Sequence, residues 1–130
     1  MAVATVNKGR NDMTTDSLRT TMIKNARKLI ERPENWTKGR YITMEADYLS
    51  YCAVGALKTA RNKLQNNAIE SHCQKNVYDT YWSTFPMFPD KLSDCMLVRY
   101  NDAPERTHEE ILTLFDQAIK NSEAADQQCG

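Results

Sequence analysis

Cys52 is the side chain best suited to nucleophilic chemistry, and it stands in the run SYCAVGALKTA at residues 50–60. A catalytic thiol needs a lowered pKa, which a helix N-terminus, an adjacent histidine or a cation supplies. The apolar spacing places Cys52 inside a helix, and the run contains no histidine. Small residues flank it instead, and a buried free cysteine packs as a small hydrophobe. We therefore predict a seam where two helices approach closely, formed by Cys52, Ala53, Gly55 and Ala56.

Metal binding would draw on the cysteines and histidines. The cysteines are far apart, no Cys-x-x-Cys pair occurs and the histidines are isolated: Cys52, Cys73, Cys95, Cys129, His72 and His108. A structural zinc site normally uses closely spaced ligand pairs, and a disulfide framework is typical of exported chains. We predict no metal site and no cofactor.

Two further segments contain residue types found at binding sites. NWTKGR, at 35–40, combines an aromatic ring with cations, as at phosphate and nucleic-acid contacts. RYNDAPE, at 99–105, places polar side chains before a proline, where they suit a turn into the next helix. The competing interpretations are a lid over a small core for the first segment and a structural turn for the second. The predicted binding residues are Trp36, Lys38, Arg40, Tyr100, Asn101 and Asp102.

Amphipathic helices are predicted at both ends of the folded part. The first has Thr15 or Asp16 as its N-cap and ends near Glu31, ahead of a proline. The last begins at Thr107, and Glu110 three residues later completes a capping box. These two helices and the second one are expected to form the core.

The spacing of apolar residues in the middle of the chain predicts two more helices. The second helix starts near Glu45 or Asp47 and ends near Leu64, and a third covers 68–82. Closely spaced prolines end the third helix. Residues 92–100 fit either a short helix or a strand.

These elements predict an all-α, single-domain bundle of about four helices, with a short extended segment after Gly39 as an open alternative. Four glycines and four prolines in 130 residues are too few for a barrel or sandwich. The domain is expected at 14–121, between a disordered tail at 1–13 and a frayed tail at 122–130. No apolar run could span a bilayer, and the N-terminus lacks a signal-peptide pattern. We expect no membrane partner and a cytoplasmic location, in the host cytoplasm if the protein is viral.

Charge is unevenly distributed, although the net charge is zero. Residues 1–40 carry a net charge of +5 and residues 101–130 one of −5. A basic face on the first helix could contact nucleic acid. The alternative, which we favour, is that the two end helices lie side by side and their charges offset each other. The basic face consists of Arg19, Lys24, Arg27 and Lys28.

Four short motifs follow one another along residues 18–120. They are a Trp-x-x-Gly loop, a Cys-Ala-x-Gly-Ala-Leu helix, an aromatic-Asn-Asp step and a closing Ala-Ile pair. The residues are Trp36, Gly39, Cys52, Ala53, Gly55, Ala56, Leu57, Tyr100, Asn101, Asp102, Ala118 and Ile119. In this order they resemble a family of small proteins of unknown function found in actinobacteria and bacteriophages. The resemblance implies a compact, mostly helical fold and lends no activity.

These observations together favour a non-enzymatic binding protein. The family context implies a bacteriophage or bacterial accessory protein that binds a host or viral protein, for example as an inhibitor of a host or defence protein. The main alternative is a nucleic-acid-binding protein that uses the basic first helix. A cysteine-dependent enzyme is the remaining alternative. The sequence does not indicate an oligomeric state.

Overall fold

The computed structural model describes residues 16–45, 48–67 and 71–129, with the backbone alone for 45, 71–75 and 129. Over this range the chain forms five α-helices and one β-hairpin. The prediction of a mostly helical domain is confirmed, but the hairpin and the fifth helix make the fold neither all-α nor four-helical. The elements are α1 (Leu18–Leu29), β1 (Ile42–Glu45), β2 (Tyr48–Tyr51), α2 (Ala53–Asn67), α3 (Ser71–Thr84), α4 (Asp94–Asp102) and α5 (His108–Cys129).

Helix α1 lies at the centre of the fold and contacts α2, α3 and α5. Its N-cap is Ser17 and not Asp16, because the Ser17 hydroxyl accepts a hydrogen bond from Thr20 N at 3.1 Å. Thr15, the other predicted N-cap, lies outside the described residues. One face is completely buried: Met22, Ile23, Ala26 and Ile30. The expected core of three helices was incomplete, because α3 also contributes Tyr81 and packs on α1 and α2.

The β-hairpin occupies the stretch where the second helix was expected to begin. Its strands are antiparallel in the register Ile42–Tyr51, Thr43–Ser50, Met44–Leu49 and Glu45–Tyr48. β-Branched and aromatic residues favour a strand here, and their alternation prevails over an apparent helical spacing. The expected helix start at Glu45 or Asp47 was wrong, and Asp47 itself lies outside the described residues. The extended segment kept open at 40–43 forms two residues later, as β1.

Residues 92–100, for which the sequence allowed either a short helix or a strand, lie between α3 and α5. Two proline-led 3₁₀ turns, Phe85–Met87 and Pro89–Lys91, follow α3. Ser93 then caps α4, its hydroxyl accepting from Met96 N at 3.3 Å. The segment is therefore a helix, and it continues through Asp102 instead of ending in a turn.

Helix α5 begins as predicted and ends later than predicted. Thr107 and Glu110 form the capping box: Thr107 N donates to Glu110 Oε1 at 2.9 Å, and Glu110 N donates to Thr107 Oγ1 at 3.1 Å. Residues 122–129 are helical, so the expected frayed tail was wrong for this stretch. Ser122 is fully buried, and Asp126 bonds to α1. The tail at 1–13 lies outside the described residues.

None of the five described helices combines the length and the apolar composition needed to cross a bilayer.

Candidate functional site

Asn101 is the centre of a junction between the loop after α1, the start of α2 and the end of α4. Its side chain is fully buried. Oδ1 accepts hydrogen bonds from Trp36 Nε1 at 2.7 Å and from Ala53 N at 3.0 Å. Nδ2 donates to Thr37 O and to Asp102 Oδ1, each at 3.0 Å. The carboxamide thus makes the four hydrogen bonds that its geometry allows. We call these five residues the Asn101 junction.

Asn101 also determines where α2 begins. Ala53 is the first residue of α2, so its N–H has no acceptor within the helix. The carboxamide oxygen of Asn101 supplies that acceptor from 48 positions away in the chain. A cap from a distant helix is not visible in the local sequence, which is why the predicted helix start was wrong.

The loop at 37–40 is fastened to the end of α4 and the residues just after it by three more hydrogen bonds. Asp102 Oδ1 accepts a hydrogen bond from Gly39 N at 2.9 Å, and Gly39 has a φ of +81°, which favours glycine. Lys38 Nζ donates to the carbonyl oxygens of Ala103 at 2.7 Å and Pro104 at 3.1 Å, just beyond α4. The lysine thereby ties the loop to the segment just beyond α4, where Ala103 O also accepts from Arg106 N at 2.9 Å.

The structure brings together four of the six predicted binding residues: Trp36, Lys38, Asn101 and Asp102. Each of them forms hydrogen bonds within the protein itself. Arg40 is exposed at the edge of the junction. Tyr100 takes no part in its hydrogen bonds and lies against Arg106, whose guanidinium carbon is 3.5 Å from the ring centroid. Trp36, Lys38, Asn101 and Asp102 therefore hold the loop against α4, and one side of this arrangement is open.

That open side is a small cavity of about 260 Å³. It is lined by Gly39, Arg40, Tyr41, Cys52, Val98 and Asp102. Residues of the loop, of α4 and of the start of α2 therefore meet at its walls.

The predicted seam of Cys52, Ala53, Gly55 and Ala56 is completely or almost completely buried. A Cβ atom added at Gly55 would lie only 1.8 Å from the carbonyl oxygen of Tyr41. The close approach expected at this glycine thus exists, but the approaching backbone is the loop before β1 and not a second helix. The same Tyr41 oxygen accepts from Cys52 N at 3.1 Å.

Cys52 lies immediately before α2, at the N-cap position, and not inside the helix as predicted: Ala53 is the first helical residue, and Cys52 O accepts from Ala56 N at 2.8 Å. Cys52 nevertheless has the properties of a packing residue. Its side chain is 2% exposed, and Sγ accepts a hydrogen bond from Gly55 N at 3.3 Å. Burial raises the pKa of the Cys52 thiol and outweighs the backbone N–H groups of Gly55 and Val54, which act to lower it, while the negative charge of Asp102 adds to the increase. A raised pKa disfavours the thiolate, which is the nucleophilic form.

His108 does not partner Cys52. His108 Nε2 lies 2.6 Å from Ile30 O, and its ring centroid is 5.9 Å from that of Trp36. The side chain of His72 lies outside the described part. Within the described residues, no group of three or more histidine, cysteine or acidic residues could hold a metal ion.

The basic face of α1 forms ion pairs with acidic residues of the chain itself. Arg19 bonds to Asp126 at 2.7 Å and Arg27 to Asp116 at 2.6 Å. Lys24 contacts Asp16 at 2.7 Å and Glu123 at 3.1 Å, and the hydrogen bond to Asp16 is the main cause of its raised pKa. Lys28 is exposed. The two oppositely charged end helices therefore lie side by side.

Several apolar side chains on and beside the hairpin are exposed, and none of them was predicted as a functional residue. Met44 is 75% exposed, and Tyr41 and Ile42 are each 49% exposed. Tyr48 and Leu49 of β2 are exposed as well. The ITME and YLSY segments alternate in polarity and are separated by only two residues, Ala46 and Asp47, a pattern that could have indicated a hairpin. We call these exposed side chains the hairpin surface: Tyr41, Ile42, Met44, Tyr48 and Leu49. By the strand register, Ile42, Met44 and Leu49 share one face of the hairpin, and Tyr48 lies on the other.

The fold and the junction define a small, mostly helical domain in which a β-hairpin is fastened beside a buried polar centre. Residues 14–121 match a family of unknown function (DUF6197), and the chain belongs to that family. No curated protein and no solved structure gave a significant match. The matched range contains the Asn101 junction and the hairpin, and it ends before Ser122 and Asp126.

Proposed function

We propose that this protein is a non-enzymatic binding protein whose docking surface is the hairpin surface. The observation that carries the proposal is the exposure of five large apolar or aromatic side chains on and beside one short hairpin. Tyrosine and methionine are enriched at the centres of protein interfaces, whereas scattered single apolar residues would need no explanation. The partner that fits is another protein.

The edges of the hairpin indicate how that partner would bind. The outer edge of β2 is covered, because Thr37 N donates to Tyr51 O at 2.9 Å and Asn35 Nδ2 donates to Leu49 O at 2.8 Å. In the described residues, β1 pairs with no strand other than β2. Its outer edge can therefore accept an extended segment of the partner as a third strand.

The cavity at the base of the hairpin gives such a segment an anchor. Tyr41 belongs both to the hairpin surface and to the cavity wall. Interface energy is concentrated in side chains that fill central pockets, and about 260 Å³ accommodates one large side chain. Arg40 and Asp102 provide polar groups at the wall.

The Asn101 junction makes the hairpin rigid enough to serve this function. A two-stranded hairpin is at best marginally stable alone. Here the base is held by the bonds from Thr37 and Asn35, by the Tyr41 carbonyl packed on α2, and by the loop fastened to α4. A rigid docking surface loses less conformational entropy when it binds.

The biological setting remains part of the proposal. We place the protein among bacteriophage or bacterial accessory proteins that act in the cytoplasm, on the resemblance described above. An inhibitor of a host or defence protein is one form that such a binding function takes, since covering a partner's active surface needs no chemistry.

The two alternative functions fit less well. A nucleic-acid-binding protein needs cations free to contact phosphates, but three of the four basic residues on α1 pair with acidic residues. We expect no complex with duplex or single-stranded DNA at micromolar protein and about 0.15 M salt. A cysteine-dependent enzyme needs an accessible thiolate, which the burial of Cys52 opposes.

The test is affinity capture from a lysate of the bacterial host, with quantitative mass spectrometry and a matched pair of variants. Met44→Glu places a charge on the hairpin surface, and Met96→Glu places the same charge on an exposed methionine of α4. We expect a captured protein that Met44→Glu loses at least tenfold and Met96→Glu retains. Both variants should keep the wild-type melting temperature. Captured proteins that are all retained by Met44→Glu, or self-association through the hairpin in place of a partner, would overturn the proposal.

A further inference from the structure

A second concave site lies on the side of the molecule formed by the N-terminal half of α5. It is a groove of about 530 Å³ between α5, the end of α4 and the segment at 89–92. This volume falls within the range of roughly 300–1,000 Å³ that is typical of small-molecule sites. Its apolar lining includes Leu92, Tyr100 and Leu114, which are buried or half-buried and so form its floor.

The rim of the groove is acidic. Asp90, Glu109 and Glu110 line it and are exposed, and none of its lining residues is basic. Arg106 partly neutralises Glu110 through an ion pair at 3.5 Å. Among the described residues, no ion pair within 4.0 Å involves Asp90 or Glu109. The groove thus combines an apolar floor with negative charge at its entrance.

We propose that this groove binds a small organic cation, an amine or guanidinium group carried on an apolar or aromatic stem. The stem would lie on Leu92, Tyr100 and Leu114, and the cation would lie near Asp90 and Glu109. The Arg106 guanidinium covers one face of the Tyr100 ring, so an aromatic stem would contact the remaining part of that ring edge-on. This inference does not depend on the proposed function of the hairpin surface, which lies on different elements.

The groove differs from the cavity beside Cys52 in what it can recognise. The cavity has about half its volume and carries one cation, Arg40, beside Asp102. The groove has three carboxylates and no cation among its lining residues. An anionic ligand would be repelled at the groove entrance, and a neutral ligand would gain only the apolar contact.

The test is a titration of the full-length protein followed by amide NMR shifts. The probes are phenethylamine, the neutral 2-phenylethanol and the anionic 3-phenylpropanoate, which share a phenyl ring on a short chain. We expect phenethylamine to shift the amides of Thr113, Leu114 and Gln117 and to bind at least threefold more tightly than the alcohol. The carboxylate should not bind. Equal binding of the amine and the alcohol, or shifts confined to other elements, would overturn the proposal.

Variants then test the charge. Asp90 has a φ of 63°, which asparagine also tolerates, so Asp90→Asn removes the charge without new backbone strain. Asp90→Asn combined with Glu109→Gln should weaken phenethylamine binding by about threefold or more. The control, Asp79→Asn on the exposed face of α3, should leave it unchanged. Equal weakening by the control would show a non-specific charge effect and contradict the site.

A Leu-Lys-Leu tripeptide with blocked termini distinguishes the two possible sources of the cation, a small organic molecule and a basic protein segment. We expect it to bind no more tightly than phenethylamine, because the apolar floor of Leu92, Tyr100 and Leu114 is matched by a single apolar stem. Binding at least tenfold tighter than that of the free amine would overturn the assignment to a small molecule in favour of a basic protein segment.

Discussion

Trp36 Nε1 donates a 2.7 Å hydrogen bond to Oδ1 of Asn101, which lies 65 positions later in the chain. The same oxygen accepts from the first N–H of α2. One side chain therefore fixes the loop before the hairpin and the helix after it. The orientation of the hairpin surface depends on this arrangement.

Asn101→Ala should strongly destabilise the protein. The substitution leaves Trp36 Nε1, the Ala53 N–H and the Thr37 carbonyl without their partner. Each buried group that loses its hydrogen bond costs about 1–3 kcal/mol, so we expect a total of roughly 3 kcal/mol or more by urea denaturation. The control, Asn25→Ala on the exposed face of α1, should change the free energy of unfolding by less than about 0.5 kcal/mol. A small effect of Asn101→Ala would contradict the junction.

Gly55→Ala should destabilise the protein, although alanine normally stabilises a helix by up to about 1 kcal/mol relative to glycine. The new methyl group would lie 1.8 Å from the Tyr41 carbonyl oxygen, and a backbone oxygen cannot rotate away. We expect a cost of about 3 kcal/mol or more and weaker partner binding, since the loop before β1 must move. The melting temperature is the measurement. An unchanged or higher value would show that Tyr41 does not pack on α2.

Cys52 should resist a maleimide reagent in the native protein, because it is buried and its raised pKa suppresses the thiolate. Cys95 is exposed and serves as the internal control that labels quickly. Peptide mass spectrometry distinguishes the two sites. Cys52→Ser should cost about 1–3 kcal/mol, since a hydroxyl is poorly accommodated there. Native labelling of Cys52 at the rate of Cys95 would revive the enzyme hypothesis.

Asp126→Asn should reveal the attachment of the end of α5 to α1. Burial acts to raise the pKa of Asp126, but hydrogen bonds from Thr20 and Ser17 and the charge of Arg19 outweigh it, so the pKa lies below 3.8. The folded-state pKa is lower than the unfolded one, so this stabilisation is complete above the unfolded value. It is lost as the pH falls through the folded value.

The variant should therefore be less stable than the wild type by about 1 kcal/mol at pH 7. The difference should persist down to about pH 4 and shrink below it. Urea denaturation at several pH values provides the measurement. A difference that stays constant into that acidic range would show that the carboxylate of Asp126 does not make these bonds in its charged form.

The features predicted correctly from the sequence are mainly local ones. Thr107 and Glu110 form a capping box because both partners lie within one helical turn. The Asn101 junction could not be derived in the same way, since its bonds to Trp36 and Ala53 cross 65 and 48 positions. Family resemblance singled out these residues without revealing that they meet.

Two other predictions failed for the same physical reason. The stretch from Ser122 looked like a polar tail because its hydrogen-bond partners lie on α1, more than 100 positions earlier in the chain. The hairpin was concealed because Leu49 and Cys52 continue an apparent helical stripe. In both places tertiary contacts outweigh the local pattern.

Hydrogen–deuterium exchange on the complex with the captured partner tests the central claim, that the hairpin surface is the docking site. The account predicts that the backbone amides of Ile42–Glu45 exchange more slowly in the complex than in the free protein, because the partner's strand occupies the free edge of β1. The exposed basic residue Lys28 and its neighbours on α1 should exchange at the same rate in both states. Unchanged exchange of β1, with protection on α1 or elsewhere, would contradict the account.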